Sequence, residues 1–172
     1  PYISDMWVYP PGDWISRNMV VGGAFCGIVV QILMYFANQS SSGPAVANGA
    51  QQTILAVVAL LGLSVVGVVN EDENDMIHST AAAVWFVGYD AYMVWTATAR
   101  IRASPWQLPA LALVLGSLAS KARFCGDRMS LGGDSNVPEI LEWLDAFCIV
   151  GYFIYDAWYH RDVAETIGVL VY

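Results

Sequence analysis

Apolar residues along this chain fall into long blocks separated by short polar interruptions, and each block is read here as one helix. The blocks run from about 19 to 37, 53 to 69, 77 to 99, 103 to 120 and 138 to 159. Each is close to the roughly 20 residues that cross about 30 Å of hydrocarbon as an α-helix. The fourth is the shortest and is interrupted near its start by Pro105 and Pro109. The expected fold class is therefore all-α, a polytopic transmembrane helical bundle of about five spans forming one domain over residues 1–172.

The interruptions carry their own signals. Residues 1–17 are proline-rich and polar, and Trp7, Tyr9 and Trp14 suit the headgroup layer, where amphipathic rings anchor a segment. The connector NQSSSGPAVANG is turn-rich and uncharged. In the second block Gly62 and Gly67, with Ser64, offer flat surfaces for close helix packing. Next comes NEDEND, residues 70–75, whose acids favour a helix N-terminus through the dipole and whose Asn74 or Asp75 is placed to cap it. Arg100 and Arg102 close the third block. There is no internal repeat and no low-complexity tract.

Composition supports this placement. Of 172 residues, 57% are hydrophobic and only 13% are charged, and the mean hydropathy is +0.51. Soluble domains average about 25% charged residues, so most of this surface is expected to face lipid or protein. A net charge of −8 argues against nucleic acid as a partner, because gripping phosphates takes clustered Lys and Arg. Three cysteines, Cys26, Cys125 and Cys148, lack the paired spacing of a disulfide framework or zinc site, and no metal site is expected. Basic residues do not orient the chain. With residues 1–17 outside, Arg100, Arg102 and Arg161 lie inside against Arg17, Lys121, Arg123 and Arg128 outside. The sequon Asn38-Gln39-Ser40 is usable only if its connector is lumenal.

Few residues suggest chemistry. Asp90 lies inside the third block, where an acid is costly unless it faces the bundle interior, is protonated or has a partner. No Lys or Arg stands at matching depth in any block, so Asp90 is read first as a neutral or hydrogen-bonded packing residue, against a proton or ligand site. In the fifth block Glu142, Asp145, Tyr152, Asp156 and Tyr159 recur every three to four residues and share one helix face. That face is read either as acids at interfacial depth beside water, or as a polar seam contacting a lipid headgroup, ion or pigment. His78 opens the third helix. It is read as a structural histidine paired with Asp75 or with a carboxylate of the last span, against a lipid contact or a ligand to chlorophyll in a photosynthetic complex. His78, Asp90, Glu142, Asp145 and Asp156 together make the expected structural polar seam. With two histidines and no GxSxG, HExxH, P-loop or GxGxxG, no catalytic residues are assigned.

Several stretches resemble the DRAM/Frag1/Sfk1 superfamily, the damage-regulated autophagy modulators and their relatives. They are PYISD with Pro10-Pro11, the run LGLSVVGVVNEDENDMIHSTAAAVWFVGYDAYMVW with Tyr92-Met93, and the Glu142-Trp143 pair of the last block. The resemblance implies a six-span protein whose first span precedes Pro1. It also implies an outer or lumenal side for residues 1–17, the NEDEND turn and the 121–137 loop. Family roles imply a non-catalytic regulator, scaffold or lipid-associated factor of endomembrane, lysosomal or plasma membranes, with membrane lipids and other membrane proteins as partners. His78 and Glu142 are the positions that look family-typical. The expectation drawn from them is that His78 meets Glu142 or Asp145 near the outer surface and ties the third and last helices together. Two rival readings stay open: an accessory subunit of a respiratory or photosynthetic assembly, in mitochondrial or thylakoid membrane, or a lipid-remodelling enzyme.

Overall fold

Five helices account for the order in a computed structural model that describes residues 11–40, 49–103, 108–129 and 137–159. They are α1 (Gly12–Ser40), α2 (Ala50–Val68), α3 (Glu71–Ala103), α4 (Leu108–Met129) and α5 (Val137–Tyr159). The expected interfacial anchors Trp7 and Tyr9, Pro105, residues 130–136 of the expected 121–137 loop and the tail with His160 lie outside the described residues. Among the described residues, α2 and the Gly12–Phe36 stretch of α1 are apolar and long enough to cross a membrane on composition alone. The other three helices carry buried polar groups within their length, which lowers their hydropathy.

Small residues set the packing of the first three helices. The backbones of α2 and α3 meet at Gly62, where an added Cβ would stand 2.9 Å from the Ala81 carbonyl oxygen and 3.0 Å from the Trp85 nitrogen. One turn along, Ala59 faces Gly88. Gly67 makes room for α1, where an added Cβ would stand 2.9 Å from a Val20 methyl and 3.0 Å from a Val21 methyl. Lipid tails are as apolar as leucine, so helices inside a bilayer associate through such close contact and not through hydrophobic exclusion. The expected flat surfaces at Gly62 and Gly67 are present, each on a different neighbour. Consecutive helices run antiparallel, which leaves α3 and α5 parallel.

The interior is a ladder of Ala56, Ala59 and Leu60 from α2, Trp85, Tyr89, Tyr92 and Met93 from α3, Ala110 and Val114 from α4, and Ile149 and Tyr152 from α5. Large apolar side chains also point outward on every helix. Phe25, Val87, Phe147 and Ile154 are each more than 60% exposed, the arrangement expected where the solvent is hydrocarbon.

The junction of α2 and α3 is fixed by capping. Asn70 Oδ1 accepts from the Glu73 N–H at 2.8 Å, and Glu73 Oε2 accepts from the Asn70 N–H at 3.1 Å, a reciprocal capping box. At Asn74 the backbone leaves helical geometry (φ −162°, ψ 92°), and Asn74 Oδ1 accepts from the Ile77 N–H at 3.1 Å. NEDEND thus starts two helical pieces in succession, and of the two expected caps it is Asn74 that serves the longer one. Arg17 closes the same end from α1, pairing with Asp13 and donating to the Val68 carbonyl at 2.6 Å and to Glu73 at 2.9 Å. The Arg17 guanidinium, followed by the Asn70 N–H, holds the Glu73 carboxyl below its usual range.

Candidate functional site

Buried charge collects where α3, α4 and α5 meet. Asp90 on α3 and Asp145 on α5 are 6% and 4% exposed, and Ser117 of α4 lies between them with no exposure. The Ser117 hydroxyl is 2.6 Å from Asp90 Oδ1 and also contacts Asp145 Oδ1. One turn further along α4, Lys121 Nζ lies 2.6 Å from Asp90 Oδ2 and 2.5 Å from Asp145 Oδ2. The ammonium also sits 5.2 Å from the centre of the Phe86 ring, a cation–π contact. One lysine therefore bridges two acids that come from helices on either side of its own.

This corrects the expectation that no cation stands at the depth of Asp90. The fourth apolar block ends near residue 120, which put Lys121 in a loop, but α4 continues to Met129 and keeps Lys121 on the face of Ser117. The side chain is 23% exposed, so its stem lies along the interior and its head reaches the acids. Ser117 and Lys121 were missed. Their i, i+4 spacing was legible, and an acid inside an apolar helix was itself a reason to look for a cation.

A second polar contact joins α3 and α5 directly. The Tyr92 hydroxyl donates to Asp156 Oδ2 at 2.8 Å, and Thr96 Oγ1 lies 2.6 Å from the Tyr152 hydroxyl. The Tyr92 and Tyr152 rings meet edge to face, with centroids 6.4 Å apart and planes at 86°. Asp145, Tyr152 and Asp156 are all buried, so this face of α5 points at its neighbours. Glu142, one turn before Asp145, is half-buried.

His78 belongs elsewhere. Its Nδ1 donates to the Val69 carbonyl at 2.7 Å, fastening the start of α3 to the end of α2. The expected approach of His78 to Glu142 or Asp145 is overturned by helix geometry. Asp90 and Asp145 share one level on parallel helices. Twelve residues of α3 carry His78 about 18 Å below that level, while three residues of α5 carry Glu142 only about 4.5 Å below it. Asp75, the other expected partner, accepts from the Ser79 hydroxyl at 2.9 Å.

No curated protein and no solved structure matches this chain. A family model described as the Frag1/DRAM/Sfk1/Cwh43P N-terminal domain matches residues 1–112. That stretch contains α1, α2, α3 and the beginning of α4, so Asp90 and His78 fall inside it, whereas Ser117, Lys121, Asp145 and Asp156 lie beyond it. The match covers more than half of the chain, and this protein belongs to the Frag1/DRAM/Sfk1 family of membrane proteins.

Proposed function

We propose that this protein is a multi-pass membrane bundle that works without catalysis, as a regulator or scaffold associated with lipid. The observation that carries this reading is how the buried acids are employed. Asp90 and Asp145 are both engaged by Ser117 and Lys121, and Asp156 accepts from Tyr92, so each joins one helix to another. A catalytic acid needs reach to a substrate atom, whereas these carboxyls are turned into helix contacts. Outward-facing Phe25, Val87, Phe147 and Ile154 supply the surface for lipid and for other membrane proteins.

In this reading all five helices cross the bilayer, with the polar contacts of α3, α4 and α5 satisfied inside the bundle. His78 acts as a fastener of the α2–α3 hairpin, its Nδ1–H donating to the Val69 carbonyl. Bound lipid is the expected companion, and endomembrane, lysosomal or plasma membrane the expected location.

The test is gentle detergent extraction from native membranes, followed by a native gel and mass spectrometry of proteins and lipids in the band. A small particle carrying lipid is the expected result. Migration in a large defined complex with other chains would replace this reading with an accessory subunit. Conversion of reconstituted phospholipid or glycolipid that stops in Asp90→Asn would replace it with an enzyme.

A further inference from the structure

The contacts of Ser117 and Lys121 do not close unless one hydrogen is added. The Lys121 ammonium has three hydrogens and three acceptors: Asp90 Oδ2 at 2.6 Å, Asp145 Oδ2 at 2.5 Å and Ser117 Oγ at 3.3 Å. Its donors are spent. Ser117 Oγ then touches a carboxyl oxygen on each side, Asp90 Oδ1 and Asp145 Oδ1, with a single hydroxyl hydrogen to place between one pair. The other pair brings two oxygens together with nothing between them unless a carboxyl supplies the hydrogen. Charge leads to the same count. Two carboxylates against one ammonium leave a net negative charge among groups that are almost wholly buried, and a single added proton makes the cluster neutral.

We propose that Asp90, Ser117 and Asp145 form a binding site for one exchangeable proton, held beside the Lys121 ammonium, and that this proton latches the α4–α5 pair to α3. The proton belongs to the pair of acids jointly. The groups facing it are Asp90 from α3, Lys121 and Ser117 from α4, and Asp145 with the neighbouring Cys148 thiol from α5. Lys121 is the most exposed member of the cluster. When the proton leaves to water, the carboxyl becomes a second carboxylate, one oxygen–oxygen contact at Ser117 loses its hydrogen, and the contact between α3 and α4 loosens.

The experiment is infrared spectroscopy of the full chain in detergent, in H₂O and D₂O, across a neutral-to-alkaline pH series. A carboxylic-acid C=O band is expected at neutral pH, shifting in D₂O and disappearing as pH rises. Asp90→Asn and Asp145→Asn are each expected to remove it, because one remaining carboxylate pairs with Lys121 and the asparagine amide supplies the missing hydrogen. For the same reason both variants are expected to keep the fold, with an unfolding temperature that no longer falls with rising pH. Asp156→Asn and Glu142→Gln are expected to keep the band. The proposal is overturned by a native chain with no such band, or by a band that only Asp156→Asn or Glu142→Gln removes. If an asparagine variant fails to fold, the pH series on the native chain decides alone.

Discussion

The two halves of this bundle are held together by opposite means. Along the lengths of α1, α2 and α3, away from the polar end closed by Arg17, the contact is made by what is absent: Gly62, Gly67 and Gly88 remove side chains so that the neighbouring helix comes close. Between α3, α4 and α5 it is made by what is present: two acids, a lysine, a serine, and a tyrosine–aspartate pair. The first kind of contact depends on shape and is indifferent to pH. The second depends on charge balance, so it can be strengthened or released by a proton. The family match covers all of the first half and, of the charged cluster, Asp90 alone.

Removing the cation is the substitution expected to cost most. Lys121→Met leaves two buried acids without their partner, and breaking a buried ion pair typically costs about 3–5 kcal/mol. The unfolding temperature in detergent is expected to fall sharply at neutral pH and to recover partly on acidification, as the second carboxyl also takes up a proton. A variant equally unstable at all pH values would mean the lysine acts through packing alone. On the shape side, Gly62→Val drives two methyl groups toward the Ala81 carbonyl and the Trp85 amide, which cannot yield. Overpacking of this kind costs about 1–3 kcal/mol, and the loss is expected to be the same at every pH. A pH-dependent loss there would break the contrast between the halves.

Smaller effects should sharpen it. Tyr92→Phe removes the hydroxyl donated to Asp156 and keeps the ring contact with Tyr152, so a loss of about 0.6–1.7 kcal/mol is expected, as for other hydrogen bonds between membrane helices. The smallest effect belongs to Glu73. Its carboxyl titrates below the ordinary value of 4.5 because of Arg17, so its contribution is present above that value and is lost as pH falls through the depressed one. An acid titration of the native chain should therefore show, as pH falls below the ordinary carboxylate value, a slight loss of stability that Glu73→Gln lacks.

How far the sequence could be read follows from which forces leave a local trace. Apolar blocks, the acidic helix start and the flat glycines are properties of neighbouring residues, and helices, cap and close contacts were all legible in them. Buried partners are a matter of three dimensions. Asp90 announced that it needed one, but the apolar block that ended at residue 120 concealed Lys121, because hydropathy registers where apolar residues stop and not where the helix does. The pairing of His78 with the last helix failed for a related reason. Sequence gives the level of a residue along its own helix, while the relative shift of α3 and α5 is set by where Ser117 and Lys121 dock. Asp156 and Tyr152 were placed on one face by spacing, and their partners Tyr92 and Thr96 emerged only once that shift was fixed.

The measurement that tests the central claim most directly is charge rescue at the α3–α4–α5 contact. The unfolding temperature of Lys121→Met would be compared with that of the triple variant carrying Asp90→Asn and Asp145→Asn as well. If the acids and the lysine form one electrically balanced unit, removing all three ionisable groups restores most of the stability that Lys121→Met alone forfeits, because the effects are strongly non-additive. A triple variant whose losses simply add to those of Lys121→Met would contradict the account.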